Sequence, residues 1–331
     1  MNPESRLKRY RWHRQVPEKN RVMISLPPEM IDACLNQSPD GGRDKQVDRW
    51  VCLWKSRITE SPGFVCLQVT DDSLTDNDLR TVYSVVSRSI GNLNQRYGEF
   101  FDVKDRGLDH TQSAIPVSKT RACSGFHTDS SSVDYCPEAV GLLCLQPGFR
   151  GGESLIANAA DLYCWMWKYH RESLRPLSAP VKRDVITPGT SQNQAEIDRN
   201  AFPVFRLCPR GLQFRYMRYW ISRAYEKLGT MSPPGLEPAM DLVDRFFATP
   251  ANVFRTHLCR GQMLFVNNTY LCHNRTAFVD HPDGVTKRTL VRTWIDEIAS
   301  QYPQRRLSTK GSAMPQADHG SFESRDLQSV G

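Results

Sequence analysis

Apolar side chains recur at helical spacing in the stretch that follows Thr75. Thr75 and Asp78 form a capping-box pattern, in which each side chain accepts a hydrogen bond from the backbone N–H of the other. The apolar positions that follow are Leu79, Val82, Val86, Ile90, Leu93 and Tyr97. This pattern predicts an amphipathic helix over about 76–97. Two further helices are predicted, over about 160–175 and about 236–248.

Short apolar runs separated by Gly, Pro, Asn and Asp occur between and after these helices. The runs are Ala139–Leu145, Ser154–Ala157, Leu212–Met217, Met263–Val266 and Thr289–Ile295. Their lengths and spacing favour the strands of a sandwich or barrel over alternating parallel βαβ units. Neither GxGxxG nor GxxxxGKS/T occurs in the chain, so a nucleotide cofactor bound in the Rossmann or P-loop manner is not expected.

The composition is that of a folded globular protein. Of the 331 residues, 39% are hydrophobic and 24% are charged, which lies within the ordinary range. The longest uncharged apolar stretch, 139–149, is roughly half as long as a membrane-spanning helix. The N-terminus lacks an apolar signal segment, and the 10 cysteines include no CxxC pair. We therefore expect a cytoplasmic protein with reduced thiols and no membrane contact, and the composition leaves the oligomeric state open.

The net charge of +7 is concentrated in two segments. Residues 1–20 are basic with Tyr10 and Trp12 interleaved, and we expect a basic N-terminal arm. Such an arm can bind nucleic acid, but basic ends are commonly only solvated, so a nucleic-acid partner is not expected. The second segment, 199–223, carries arginines and no acid, and these arginines could bind a carboxylate or phosphate or form internal ion pairs. They are Arg199, Arg206, Arg210, Arg215, Arg218 and Arg223.

His127 and Asp129 are candidate ligands of one metal ion. Residues i and i+2 of an extended segment project to the same side. The same His-x-acid spacing at 170–172 and 281–283 lies in a predicted helix and a predicted turn, where it does not converge on an ion. His273 would complete a 2-His-1-carboxylate triad, which leaves positions open on Fe(II). A structural histidine at a strand end is the alternative interpretation of His273.

Arg288 and Arg292 share one face of the strand predicted over 287–295. Both faces are mostly apolar, so we expect this strand to be buried, and a buried guanidinium is costly unless an anion meets it. At about 3.3 Å per residue the two arginines lie about 13 Å apart. One could anchor a co-substrate and the other a substrate, and two internal salt bridges are the alternative.

Four segments taken together resemble the Fe(II)/2-oxoglutarate dioxygenases of the taurine dioxygenase and clavaminate synthase superfamily. They are 126–129 (Phe-His-Thr-Asp), 141–154, 267–278 and 288–294, and weaker similarity covers about 60–296. The resemblance implies a mainly β fold with flanking helices, whose core is a double-stranded β-helix (a cupin-like jelly roll). It also implies one domain over 21–302 with an active-site insertion at about 180–235. The composition of 303–331, with Ser, Gly, Gln, mixed charge and little apolar content, predicts a disordered tail.

The resemblance implies roles for individual residues and for Fe(II), 2-oxoglutarate and O₂. His127, Asp129 and His273 would hold the iron. Arg288 and Ser154, where relatives often have threonine, would bind the distal carboxylate of 2-oxoglutarate. Halogenation is disfavoured, because halogenating relatives have Gly or Ala in place of the carboxylate. The implied reaction hydroxylates a C–H bond with release of succinate and CO₂, and desaturation, cyclisation, epimerisation and aldehyde formation remain alternatives.

The candidate substrate-binding residues are Arg292, Arg215, Arg218 and Ser130. The arginines favour a small anionic molecule with a carboxylate or phosphate, such as an amino acid, a nucleotide or a natural-product intermediate. Two alternatives belong to other classes. One is a non-catalytic barrel that binds a metal and 2-oxoglutarate, and the other is a nucleic-acid-binding protein that acts through its basic arm.

Overall fold

The structure, a computed structural model, describes most of the chain. The described residues are 2–13, 15–36, 45–95, 98–105, 107, 120–130, 132, 135–185, 194–209 and 211–298. The expected disordered tail at 303–331 and Arg210 of the second basic segment lie outside them.

Regular secondary structure runs through the whole described chain. The helices are α1 (Pro3–Leu7), α2 (Lys19–Val22), α3 (Pro28–Leu35), α4 (Lys45–Thr59), α5 (Asp76–Ile90), α6 (Ala159–Tyr169), α7 (Leu174–Ser178), α8 (Gln194–Arg199), α9 (Arg218–Leu228) and α10 (Leu236–Ala248). The strands are β1 (Met23–Ser25), β2 (Phe64–Gln68), β3 (Gly91–Leu93), β4 (Phe101–Val103), β5 (Ala139–Gln146), β6 (Arg150–Gly151), β7 (Ser154–Asn158), β8 (Val181–Lys182), β9 (Ala201–Phe202), β10 (Phe205–Cys208), β11 (Gly211–Phe214), β12 (Val253–Thr256), β13 (Gln262–Asn267), β14 (Leu271–Arg275), β15 (Phe278–Val279) and β16 (Thr289–Ile298).

Two sheets form the centre of the fold. The larger sheet has the strand order β1-β2-β13-β5-β16-β3, and β4 also pairs with β16. In this sheet β1 and β2 are parallel, and the other pairs are antiparallel. A smaller antiparallel sheet has the order β12-β7-β14. The rings of Phe64 on β2 and Phe254 on β12 lie 4.8 Å apart, so the two sheets face each other. The mainly β architecture with flanking helices that the sequence predicts is confirmed.

The larger sheet is buried on both faces. Side chains alternate between the faces of a strand, so Phe64 and Cys66 of β2 belong to the core between the sheets, whereas Val65 and Leu67 belong to a second core. Apolar side chains of α3, α4 and α5 form the other wall of that second core. This two-sided burial accounts for the almost continuous apolar sequence of β2, β5 and β13.

Helix α5 begins where the sequence predicts and ends earlier. The Thr75 hydroxyl accepts the Asp78 backbone N–H at 3.2 Å, and the Asp78 carboxylate accepts the Thr75 N–H at 2.9 Å. The helix stops at Ile90 because Gly91 begins β3, which pairs with β16. A Cβ at position 91 would lie 2.1 Å from the Glu297 carbonyl oxygen, so the close approach of the two strands requires glycine. The predicted extension of the helix over 91–95 is therefore wrong.

The other two predicted helices are present. Helix α10 spans the predicted residues, and α6 covers the first part of the range predicted from about 160 to 175. A 3₁₀ turn at Arg171–Ser173 and the short helix α7 follow α6. None of the described helices is long and apolar enough to cross a membrane.

The basic N-terminal segment packs against the domain. Leu7, Tyr10 and Trp12 are buried in the core between the sheets and helix α6. The Arg11 guanidinium lies 2.8 Å from the buried carboxylate of Asp161, whose second oxygen accepts the Trp12 backbone N–H at 2.8 Å. The expectation of an arm outside the fold is therefore wrong for the described residues 2–13, because apolar side chains spaced between the basic ones are drawn into the core.

The described part of the segment expected to be an insertion, 180–235, lies along the HxD segment. The Tyr216 carbonyl accepts the Thr128 backbone N–H at 2.9 Å, and the Thr128 hydroxyl accepts the Tyr216 N–H at 3.1 Å. Because Thr128 lies between His127 and Asp129, and Tyr216 lies just before α9, these bonds bring the beginning of α9 next to the candidate iron ligands.

Candidate active site

His127 and His273 are held opposite each other by the backbone. The backbone N–H of each residue donates to the carbonyl of the other at 2.9 Å, which forms an antiparallel bridge. Directly opposed residues of such a pair project to the same face, and the two imidazole rings lie 4.5 Å apart. Strand β14 and the HxD segment therefore bring together two histidines that are far apart in sequence.

Asp129 completes a set of three converging ligand atoms. Its Oδ1 lies 3.4 Å from Nε2 of His127 and 3.4 Å from Nε2 of His273. Ligand atoms of the three residues all lie within 4.8 Å of one another. The Nδ1–H of His127 donates to the Gly125 carbonyl at 2.9 Å, which leaves Nε2 as the atom with a free lone pair. This donor set fits Fe(II).

The second carboxylate oxygen of Asp129 is bound by two donors. The Arg292 guanidinium lies 3.0 Å from Oδ2, and the indole N–H of Trp294 donates to it at 2.8 Å. Asn268 fixes the backbone, since its side chain accepts the Asp129 N–H at 2.8 Å and donates to the Asp129 carbonyl at 3.1 Å. These contacts orient Oδ1 towards the two histidines.

The charge states suit metal binding. Burial by itself would raise the pKa of the Asp129 carboxyl, but the neighbouring Arg292 guanidinium holds this pKa well below its ordinary value. Burial and the neighbouring His127 ring lower the pKa of His273. The site therefore presents an anionic carboxylate and a neutral imidazole, which are the protonation states that a metal requires.

Arg288 and Ser154 line the same cavity as the three candidate ligands. Both are buried. Nη2 of Arg288 donates to the Gly152 carbonyl at 3.3 Å, whereas Nη1 is buried and has no hydrogen-bond partner in the part of the chain that the structure describes. Gly152 has φ +72°, and a Cβ there would lie 2.7 Å from Nε of Arg288. Glycine therefore leaves the space that this guanidinium occupies, and the orphaned Nη1 fits a carboxylate ligand.

The cavity has a volume of about 150 Å³ and mostly apolar walls. The walls come from both sheets, through Leu142, Leu264 and Leu290 on the larger sheet and Ile156 on the smaller one. Ser130, which has φ +45° and is buried, also lines the cavity. An apolar cavity with a few convergent polar groups is the usual form of a small-molecule site.

The candidate substrate arginines are not brought together. Arg292 lines the cavity, but Arg215 and Arg218 are not among the described lining residues. Arg218 lies 2.7 to 2.9 Å from three carboxylates, which belong to Asp244, Asp241 and Glu237. Arg215 is buried, and its guanidinium lies 3.7 Å from the Phe202 ring. The internal-ion-pair interpretation therefore describes the contacts of Arg218.

Sequence reasoning missed three residues of this site: Asn268, Arg275 and Trp294. Trp294 shares a strand face with Arg292, and Arg275 shares one with His273, because each lies two residues further along the same strand. The two-residue alternation was therefore a usable signal for both. The contact of Asn268 with Asp129 depends on a turn whose geometry the sequence does not reveal.

Comparisons with known proteins agree with this geometry. The family model described as "Taurine catabolism dioxygenase TauD, TfdA family" matches residues 53–294, and the chain belongs to this family. The chain is 28% identical to FR-33289 synthase of Streptomyces rubellomurinus over 262 residues. This alignment covers 75% of this chain and 74% of that protein. It is 29% identical over 187 residues to uridine-5'-phosphate dioxygenase of a Streptomyces species, covering 53% of this chain and 61% of that protein.

Solved structures with the same fold include two iron oxygenases. Asparagine oxygenase in complex with Fe(II), 2S,3S-3-hydroxyasparagine and succinate superposes with a TM-score of 0.60 at 16% identity, covering 83% of this chain and 93% of that one. The non-heme iron oxygenase OrfP in complex with Fe, succinate and (3S)-hydroxy-L-Arg gives a TM-score of 0.59 at 14% identity, covering 82% and 93%. The expected fold class is thus confirmed, and family membership makes the protein an Fe(II)/2-oxoglutarate-dependent dioxygenase that acts on a small molecule.

Proposed function

We propose that this dioxygenase hydroxylates a C–H bond of a small anionic molecule, with the iron held by His127, Asp129 and His273. In the same proposal Arg288 and Ser154 bind the distal carboxylate of 2-oxoglutarate. The observation that carries the proposal is the cavity itself. It combines three converging ligand atoms with a buried arginine whose Nη1 is unpartnered among the described residues.

The protein's own groups have distinct tasks in this reaction. When bound, Fe(II) and 2-oxoglutarate supply oxidation of the substrate C–H bond by O₂, with succinate and CO₂ as the co-products. His127 and His273 contribute imidazole Nε2 atoms, and Asp129 contributes Oδ1, which leaves the remaining positions of the metal open. The Arg292 and Trp294 contacts keep the carboxylate ionised and oriented. The apolar walls exclude water, which strengthens the charged contacts inside the cavity.

Support for an anionic substrate comes from the cavity and from the relatives. Arg292 retains a buried Nε that has no hydrogen-bond partner among the described residues, and Ser130 is a second polar residue in the lining of the same cavity. A carboxylate or phosphate is the group that such donors favour. One relative is named for a nucleotide, uridine-5'-phosphate, and two structural neighbours hold hydroxylated amino acids. An amino acid, a nucleotide or a natural-product intermediate fits these observations.

The test is an anaerobic visible difference spectrum. Fe(II) and then 2-oxoglutarate are added to the purified protein, and we expect a weak charge-transfer band that requires both additions. His127→Ala should abolish the band, whereas the matched control His257→Ala should retain it, because His257 is exposed and is absent from the described lining of the cavity. A band that persists in His127→Ala would contradict the ligand assignment. The absence of any band in the intact protein would contradict the proposed function.

Screening would then identify the substrate. Small carboxylates and phosphates are supplied with O₂, and succinate formation coupled to loss of the substrate is measured. Arg292→Ala should raise the KM of the true substrate, and an unchanged KM would remove Arg292 from the substrate site. Mass analysis of the product separates hydroxylation, which adds one oxygen, from desaturation, which removes two hydrogens.

A further inference from the structure

A second arginine lines the cavity beside Arg288. Arg275 and Ser154 are paired in register across strands β14 and β7, so their side chains lie on the same face. The guanidinium carbons of Arg275 and Arg288 lie 5.0 and 4.9 Å from the centroid of the Phe278 ring. All three polar residues belong to the lining of the one cavity. Two guanidiniums and a hydroxyl therefore line this cavity, and both guanidiniums pack against the same Phe278 ring.

Neither guanidinium is neutralised by an acid of the described residues. Asp105, whose charge does influence Arg275, lies 2.9 Å from the guanidinium of Arg121. Asp280 accepts the backbone N–H of Arg288 at 2.8 Å, and its other oxygen lies 3.6 Å from the Lys287 ammonium. Burial and the neighbouring Arg288 charge lower the pKa of Arg275 to about 10. Two like charges held together in a buried site are costly, and an anion between them would offset that cost.

The hydrogen bonds of Arg275 are only partly satisfied. Its Nη2 donates to the carbonyls of Thr120, at 2.9 Å, and Ala122. Its Nε is buried and without a hydrogen-bond partner in the described parts of the chain, as is Nη1 of Arg288. A carboxylate has two oxygens with about four lone-pair sites. One carboxylate can therefore accept an N–H from each arginine and the hydroxyl proton of Ser154.

We propose that Arg275 is a second cationic contact for the distal carboxylate of 2-oxoglutarate, so that two arginines and Ser154 bind this carboxylate. This inference rests on the proposed function, since it concerns the same co-substrate. The proposal predicts selectivity between co-substrates. The excess positive charge of the two arginines favours binding of a 2-oxo acid that ends in a carboxylate over one of equal length that ends in a methyl group.

The alternative role for Arg275 is to hold the segment 120–122 through its carbonyl contacts, without touching the co-substrate. The two roles differ in what they do to selectivity. A residue that only holds the segment would affect every 2-oxo acid alike. A residue that touches the distal carboxylate affects only those acids that have one.

The experiment compares 2-oxoglutarate with 2-oxovalerate, which has the same chain length and no distal carboxylate. Binding to the Fe(II)-loaded protein is measured anaerobically from the charge-transfer band, so no turnover is needed. Arg275→Gln keeps an N–H donor for the Thr120 carbonyl and removes the charge. We expect it to weaken the binding of 2-oxoglutarate roughly 10- to 150-fold, the range for a lost hydrogen bond to a charged group, and to leave the binding of 2-oxovalerate unchanged. Arg275→Lys, which keeps the positive charge, should weaken the binding of 2-oxoglutarate less than Arg275→Gln does.

Arg199→Gln is the matched control. Arg199 is more than half exposed, pairs with Glu196 and is absent from the described lining of the cavity, so this variant should bind both acids as the wild type does. An equal loss for both acids in Arg275→Gln, or no loss for either, would overturn the proposal and leave Arg275 with the carbonyl contacts alone. Failure of the proposed function has a different signature, because the wild-type protein itself would then give no band with 2-oxoglutarate.

Discussion

The contact between Trp294 and Asp129 can be removed by a substitution that retains an aromatic ring. The indole N–H donates to Oδ2 of Asp129 at 2.8 Å, and the Trp294 ring also packs edge-on against Phe101 at 5.6 Å. Trp294→Phe removes the N–H donor and also part of the buried ring system, so the loss of packing is measured separately as a change in the free energy of unfolding. Asp129 is 4% exposed, so solvent cannot readily replace the lost hydrogen bond.

The expected magnitude follows from the charge and burial of the acceptor. A hydrogen bond to a charged group contributes about 1.5–3 kcal/mol net, which corresponds to roughly 10- to 150-fold in an equilibrium constant. The hydrogen bond also exists in the metal-free protein, so part of the lost free energy appears there as a lower free energy of unfolding. The remaining part, which comes from the orientation of Oδ1 by the indole, appears as a lower affinity for iron. We therefore expect Fe(II) to bind about 10-fold or more weakly, as is usual when a partner of a metal ligand is removed.

The assay is an anaerobic Fe(II) titration at saturating 2-oxoglutarate, with urea unfolding of the metal-free protein measured in parallel. Phe101→Leu is the control, because it removes the ring that packs against Trp294 and leaves the N–H bond to Asp129 in place. This control should lose some stability and keep its iron affinity. If Trp294→Phe binds iron as tightly as the wild type, the indole does not orient the ligand and the reasoning is refuted.

Three further predictions concern charged groups. Arg288→Met removes the guanidinium that the resemblance assigns to the distal carboxylate of 2-oxoglutarate and should weaken its binding by roughly 100-fold or more, since breaking a buried ion pair costs about 3–5 kcal/mol; an unchanged charge-transfer titration would contradict this. Arg218→Met should lower the free energy of unfolding, measured in urea, by about 1–2 kcal/mol. The value is modest because the Arg218 side chain is 32% exposed, and 2-oxoglutarate binding should stay intact. A stability equal to that of the wild type would show that the three ion pairs of Arg218 contribute nothing. Asp161→Ala removes the nearer acid of Arg11, which leaves Glu4 at 3.8 Å, and should destabilise the protein by about 3–5 kcal/mol. Asp161→Asn removes the same charge and keeps a side-chain oxygen for the Trp12 N–H, so a charge effect predicts a loss nearly as large; a stability of Asp161→Asn close to that of the wild type would argue against a charge effect.

Local patterns predicted the helices better at their starts than at their ends. The capping box of Thr75 and Asp78 acts within one turn, so the sequence alone locates the first residue of α5. The end of α5 depends on Gly91, which pairs with Ile298 at the far end of the chain. Apolar periodicity continues past Gly91 and contains no sign of that pairing. Long-range strand pairing therefore overrides a helical pattern that is locally consistent.

The N-terminal segment shows the limit of reasoning from charge. Its basic residues predicted an arm, yet Leu7 and Trp12 are buried and Arg11 meets Asp161. Net charge in a sequence segment does not reveal whether an acid elsewhere in the fold is close enough to pair with it. The apolar side chains of Leu7, Tyr10 and Trp12 were visible in the sequence, but the surface that receives them is formed by residues far along the chain. The ring of Trp12 packs against Phe64, and that of Tyr10 packs against Tyr270.

The sequence by itself determined which side chains of the site share a strand face. His127 with Asp129, Arg288 with Arg292, and the order of these pairs along the chain follow from residue identity and two-residue alternation, which are local properties. The tertiary structure decided what each side chain meets. It turned Arg292 towards Asp129, placed Arg218 among three carboxylates, and brought Arg275 beside Arg288. The reason is physical: Coulomb and hydrogen-bond energies fall steeply with distance in space, and distances between residues far apart in sequence are set only when the two sheets pack.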